Sequence, residues 1–194
     1  MKAKITEKWL VSRNACEAGV EAFKNQKEKD SLIIIKKLLS KKKLAWANWL
    51  IVRVMTYPQY VSYAVYGAEK VIGIFEKKYP NDNRPRRAIR AAQKCIKNPS
   101  RKNKAAADAA ATDAANAADA AATDAASAAD AADAAYSAYT ATYAAFSADA
   151  ATYAAGMAST AVADYIDYTT YTASTKTKLK ILKYGITLLE EGKK

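Results

Sequence analysis

The 194-residue chain has no histidine, and only two cysteines, four prolines and six glycines. Without histidine there is no Ser-His-Asp or Cys-His nucleophile system, no His-ligated zinc and no imidazole switch near neutral pH. Cys16 and Cys95 are too few for a cysteine-built metal centre, so no metal or other cofactor is expected. Long apolar runs are missing too. Leu32–Leu39 carries two lysines and is far shorter than the ~20 residues that span a bilayer. The N-terminal MKAKITEKWL is followed by Arg13, Glu17 and Glu21 rather than by an apolar signal core. The expectation is therefore a cytoplasmic protein with reduced thiols and no membrane partner. At this length the natural reading is one domain, residues 1–194, large enough to need no disulfide.

The net charge of +12 hides a division. Residues 1–104 hold 25 basic and 8 acidic residues, residues 105–175 hold nine Asp and no Lys or Arg, and residues 176–194 hold six basic and two acidic residues. Blocks of opposite sign can fold against one another or present different faces to partners. They divide the domain into a basic helical part (1–104), acidic Ala-rich helices (105–165) and a closing helix (176–194).

Helical spacing runs through the basic part. Trp9, Leu10, Cys16, Val20 and Phe23 predict a helix over 6–24, and Ser31 is placed to cap another through Leu39. Trp46, Trp49, Leu50 and Val54 give the next apolar face. Pro58 fits a first helical turn, and Val61, Val65, Ala68, Ile72, Phe75 and Tyr79 follow a 4-3-4-3-4 seam. Asp82 or Asn83 can cap a further helix with Pro85 in its first turn. That helix has Ile89, Ala92 and Ile96 on one side and Arg86, Arg90, Lys94 and Lys97 on another. The basic stripe suits phosphates, a partner's carboxylates, the acidic block of the same chain, or plain solvent.

Beyond Asn98-Pro99-Ser100, 33 of the 59 residues from Ala105 to Ala163 are Ala, the best helix former. An eleven-residue repeat runs DAAATDAANAA from Asp108, DAAATDAASAA from Asp119 and a decaying copy from Asp130. Eleven residues make three turns, so repeated residues return to nearly the same side. Asp108, Asp113, Asp119, Asp124 and Asp130 fall within a sector of about 160°, together with Thr112, Asn116, Thr123 and Ser127. The opposite half is bare Ala, with an expected seam of Ala111, Ala115, Ala118, Ala122, Ala125, Ala129 and Ala132. It continues at the same spacing as Tyr136, Tyr139, Tyr143, Phe146, Ala150, Tyr153 and Met157, a largely aromatic stripe. One helix of this length would reach about 88 Å at 1.5 Å per residue, too long for one domain. A hairpin broken near Asp130–Ser137 is expected. In the closing segment Leu179, Leu182, Ile186 and Leu189 favour a helix, while TKTKLKI leaves a strand open. The fold class is all-α: a helical bundle of six to eight helices with a long Ala-rich hairpin.

The stretches WANWLIVRVMT and YAVYGAEKVIGIFEKKYPNDNRPRRAIRAA, the NPS break and the Ala-Ala-Asp run after it resemble the immunity proteins of polymorphic-toxin systems, specifically the family numbered five. Trp46, Trp49, Arg53, Ala68, Glu69, Glu76, Pro80, Asp82, Arg84, Pro85, Arg86, Ala88 and Ile89 carry the likeness, which covers about two thirds of the chain. It implies a non-enzymatic protein that binds and neutralises a toxin. In a phage-borne relative the target would be a host defence nuclease or effector. The contact candidates are the row Asp108, Asp113, Asp119, Asp124 and Asp130, and then the stripe Arg86, Arg90, Lys94 and Lys97. Three other readings stand beside this one. Residues 24–43 and 84–104 are basic enough to bind nucleic acid. The Ala/Thr repeat is similar to Ala-rich ice-binding helices. Glu69 and Glu76, seven apart on one helix, could face a pocket with Arg53 and Arg84.

Overall fold

A computed structural model describes residues 4–123, seven positions between 134 and 145, and residues 175–192. These residues form eight bounded helices and, among them, no strand; Lys4 and Asp30 make one isolated antiparallel bridge. The helices are α1 (Glu7–Ser12), α2 (Glu17–Lys24), α3 (Ser31–Ser40), α4 (Leu44–Val54), α5 (Tyr57–Lys78), α6 (Arg84–Lys97), α7 (Arg101–Thr123) and α8 (Thr175–Glu191). The fold is an all-α helical bundle.

Local chemistry sets most boundaries. The helix expected over 6–24 divides into α1 and α2, because Asn14 takes a left-handed conformation at φ 56°, one that Asn tolerates better than most residues. Thr6 caps α1 by accepting the Trp9 N–H at 3.1 Å. The cap of α3 is Asp30, one residue before the expected Ser31; its carboxylate accepts from Leu32 and Ile33, at 2.9 and 3.2 Å. A carboxylate is the stronger acceptor and complements the positive end of the helix dipole. Thr56 and Gln59 close a capping box ahead of Pro58 in the first turn of α5. Ser100 accepts from the Asn103 N–H at 3.3 Å, so the stop at Asn98–Ser100 also starts α7.

Packing follows the seam of α5, where Val61, Val65, Ala68, Ile72 and Phe75 are all buried. Helix α6 lies on α5, α7 on α6, and α8 covers α3, α4 and α5. The closing segment is helical rather than extended. Of its expected stripe only Leu182 is fully buried, while Ile181 and Gly185 lie deeper than Leu179, Ile186 and Leu189. Gly185 explains the shift. A Cβ there would sit 2.8 Å from the Tyr63 ring and 2.9 Å from Ile51, so only glycine lets α8 come this close. Gln59 fixes the same contact by donating to the Leu188 carbonyl at 2.6 Å. Beneath α8, the buried Tyr63 hydroxyl donates to Asn48 Oδ1 at 2.7 Å.

The bare Ala half of α7, the described part of the repeat, is covered. Ala107, Ala111, Ala114, Ala117, Ala118 and Ala121 of α7 are buried, and so are Ala88, Ala92 and Cys95 of α6. Small side chains on both helices permit a close, extensive contact. The seam runs through Ala114 rather than the expected Ala115, which is only partly buried. Ala134, Ala135, Ala138, Ala141 and Ala145 are helical and fully buried, and Tyr57 donates to the Ala145 carbonyl at 2.5 Å. Tyr136, Tyr143, Phe146, Tyr153 and Met157 lie outside the described residues, as does the expected break near Asp130–Ser137 apart from Ala134 and Ala135.

Candidate protein-contact face

The acidic and basic candidates come from consecutive antiparallel helices. A three-residue turn joins α6 to α7, so residues on their outward sides become neighbours. The link between them is one ion pair: Arg87 Nη2 lies 3.0 Å from Asp113 Oδ2, with both side chains about half exposed. Such a pair contributes roughly 0–1 kcal/mol to stability. Its importance is geometric, because it places Asp113 of α7 beside Arg87 of α6.

The five acidic candidates divide. Asp108 and Asp119 are exposed and make no ion pair among the described residues, Asp113 is held by Arg87, and Asp124 and Asp130 lie outside the described residues. Helix α7 has 23 residues and α6 has 14, so α7 is longer by about 13 Å at 1.5 Å per residue. With Asp113 opposite Arg87, Asp119 falls beyond the first turn of α6.

The basic candidates divide too. Arg90, Lys94 and Lys97 are exposed. Arg86 instead turns toward α5 and grips Glu76 with two bonds, Nε to Oε1 at 2.6 Å and Nη2 to Oε2 at 2.7 Å. Arg84 is occupied by Asp82, at 2.6 Å. The exposed charges of α6 and α7 without an ion pair among the described residues are therefore Asp108 and Asp119 on α7 and Arg90, Lys94 and Lys97 on α6, with Arg87 and Asp113 paired across the two helices. Arg87 was not among the sequence candidates. The available signal was the Arg86-Arg87 doublet, since adjacent helical residues point about 100° apart and cannot both face α5.

The carboxylates and arginines considered for a pocket do not converge. Glu76 is held by Arg86, Glu69 accepts from Gln93 at 2.6 Å, and Arg84 is paired with Asp82. Arg53 stacks on Trp49, 4.0 Å from the ring centroid, and donates to the carbonyls of Arg13 and Trp49. Its pKa is lowered to about 10 by burial and then by the nearby Arg13 charge. Among the described residues no group of three or more metal-ligating side chains is present. No described helix is long and apolar enough to cross a membrane.

The Glu76–Arg86 pair makes a pH prediction. The guanidinium holds the Glu76 carboxyl below its ordinary value, partly opposed by burial and assisted by the Arg86 and Arg90 charges. A folded pKa below the unfolded one gives stability that is present above the ordinary carboxylate range and is lost as pH falls through the lowered value. Glu76 is more than a third exposed, so solvent screening keeps the effect to about 0.5 kcal/mol. Glu76→Gln should therefore cost about that much at pH 7 and progressively less as pH falls through the acid range, measured by urea unfolding across that range.

A family model described as Imm-5 like putative immunity protein matches residues 54–183. The chain belongs to this family. No curated protein and no solved structure matches the chain. The matched region opens at the last residue of α4 and contains all of α5, α6 and α7 and the first half of α8. The whole α6–α7 face thus lies in the part that the family shares. Trp46, Trp49 and Arg53 precede the match, whereas Ala68, Glu69, Glu76, Pro80, Asp82, Arg84, Pro85, Arg86, Ala88 and Ile89 fall inside it. Membership in an immunity family implies a protein target.

Proposed function

We propose that this chain is a non-enzymatic inhibitor that neutralises a toxin by protein–protein binding, in the cytoplasm of the cell it protects. A phage-borne copy would act the same way on a host defence nuclease or effector. The observation that carries the proposal is the family match, which contains the whole mixed-charge α6–α7 face. Electrostatics supports it. Asp108 and Asp119 project without a cation partner among the described residues, and exposed charges of this kind steer encounter and exclude wrong partners. The target surface would then carry basic groups against Asp108 and Asp119 and acidic groups against Arg90, Lys94 and Lys97.

The test is calorimetric titration against the toxin encoded in the same locus. Replacing Asp108, Asp113, Asp119, Asp124 and Asp130 together by Asn should weaken binding at least tenfold and flatten its salt dependence, with helicity by circular dichroism unchanged. Unchanged affinity would remove the Asp row from the interface. The triple variant of Arg90, Lys94 and Lys97 to Gln then reports on the other half of the face.

A further inference from the structure

A second feature lies wholly outside the family match. Helices α1 and α2 pack on each other and lean over α3 and α4, leaving a half-open pocket of about 750 Å³. Small-molecule sites have volumes of about 300–1,000 Å³ and mostly apolar walls. The floor here is buried core: Ile5, Leu10, Phe23, Ile34 and Leu50. Trp46 and Trp49 form part of the wall and Cys16 another.

Asn14, Asn25 and Gln26 bring uncharged polar groups from around α1 and α2, but the charged groups are unevenly placed. Lys37, Lys41 and Lys43 all line the pocket and all belong to the end of α3 and the turn into α4. No Asp or Glu lines it, and none of the three lysines pairs with a carboxylate among the described residues. Lys43 leans over Trp46, 5.3 Å from the ring centroid. An apolar interior with cations gathered at one mouth is complementary to a molecule with a long apolar tail and one anionic head.

We infer that this pocket binds a single-chain anionic amphiphile, a long-chain carboxylate, with its tail over Leu38 and Phe23 and its head at Lys37, Lys41 and Lys43. This is a site separate from the α6–α7 face, and it does not depend on the toxin-binding reading.

The probe is sodium dodecanoate, added to the full chain below its micelle concentration. Two of the three tryptophans line the pocket, so saturable one-to-one binding should change the tryptophan fluorescence. Cys16 is exposed while Cys95 is buried, so maleimide should label Cys16 selectively, and dodecanoate should slow that labelling severalfold. Dodecyltrimethylammonium should bind at least tenfold more weakly. The exposed-site variant K37Q/K41Q/K43Q should lose at least tenfold in dodecanoate affinity, while the Asp-to-Asn changes at Asp108, Asp113, Asp119, Asp124 and Asp130 leave it unchanged. Absence of saturable binding, equal affinity for the cationic amphiphile, or unchanged affinity in the lysine variant would each overturn the assignment. So would an acidic amphipathic peptide that protects Cys16 where dodecanoate does not.

Discussion

Phe75→Ala should destabilise the chain by about 3–5 kcal/mol, the range for removing a buried aromatic ring and leaving a cavity. Phe75 is 1% exposed on the core seam of α5 and packs on Tyr79 with ring centroids 5.0 Å apart. The surrounding side chains cannot fill the gap without leaving their rotamers, because α5 is pressed by α6 on one side and α8 on another. Domains have only about 5–15 kcal/mol of stability in total, so the urea midpoint should fall by about a fifth or more. Tyr79 lies on the same seam but is only partly buried. Its replacement by Ala should cost less than half as much, and similar costs at both positions would mean that the seam is not the core.

The second large effect concerns the alanine repeat. Ala114→Leu should cost up to about 3 kcal/mol, because a branched side chain would be forced into a contact built from Ala on both helices. Ala114 is fully buried on α7, which packs along α6, where Ala88 and Ala92 are fully buried too. Ala109→Leu is the matching control. Ala109 is exposed on the same helix, and surface changes of this kind stay within about 0.5 kcal/mol. Thermal unfolding of the two variants separates a repeat that packs from one that faces solvent. Equal stability would show that the Ala half is not an interface. The same contact bears on ice binding, since the bare Ala half of α7 is covered by α6 rather than presented to a flat external surface.

The seam of α5, the first-turn position of Pro58 and the existence of α6 and α7 were legible because each follows from spacing and local backbone chemistry. The Ala seam held at Ala111 and Ala118 but passed through Ala114 rather than Ala115, since a helix of near-uniform Ala has no large side chain to mark which side faces inward. The division of the first helix turned on Asn14, where a single left-handed residue outweighs an otherwise continuous apolar spacing. The face of α8 was set by Gly185, whose effect depends on Tyr63 and Ile51 from helices remote in sequence. The candidate surface divided for a similar reason. Charge type and spacing identified Arg86 as part of a stripe, but the position of Glu76 on α5 decided that Arg86 is used internally. Arg87 became the link to Asp113 only once α6 and α7 lay antiparallel.

The most direct test of the central claim is hydrogen–deuterium exchange of the full chain, free and in complex with the toxin it neutralises. Binding through the mixed-charge face predicts slowed exchange across residues 84–123, with residues 7–50 unchanged. Protection confined to α1–α4 would contradict the assignment of the face, and failure to form a complex with that toxin would contradict the proposed function itself.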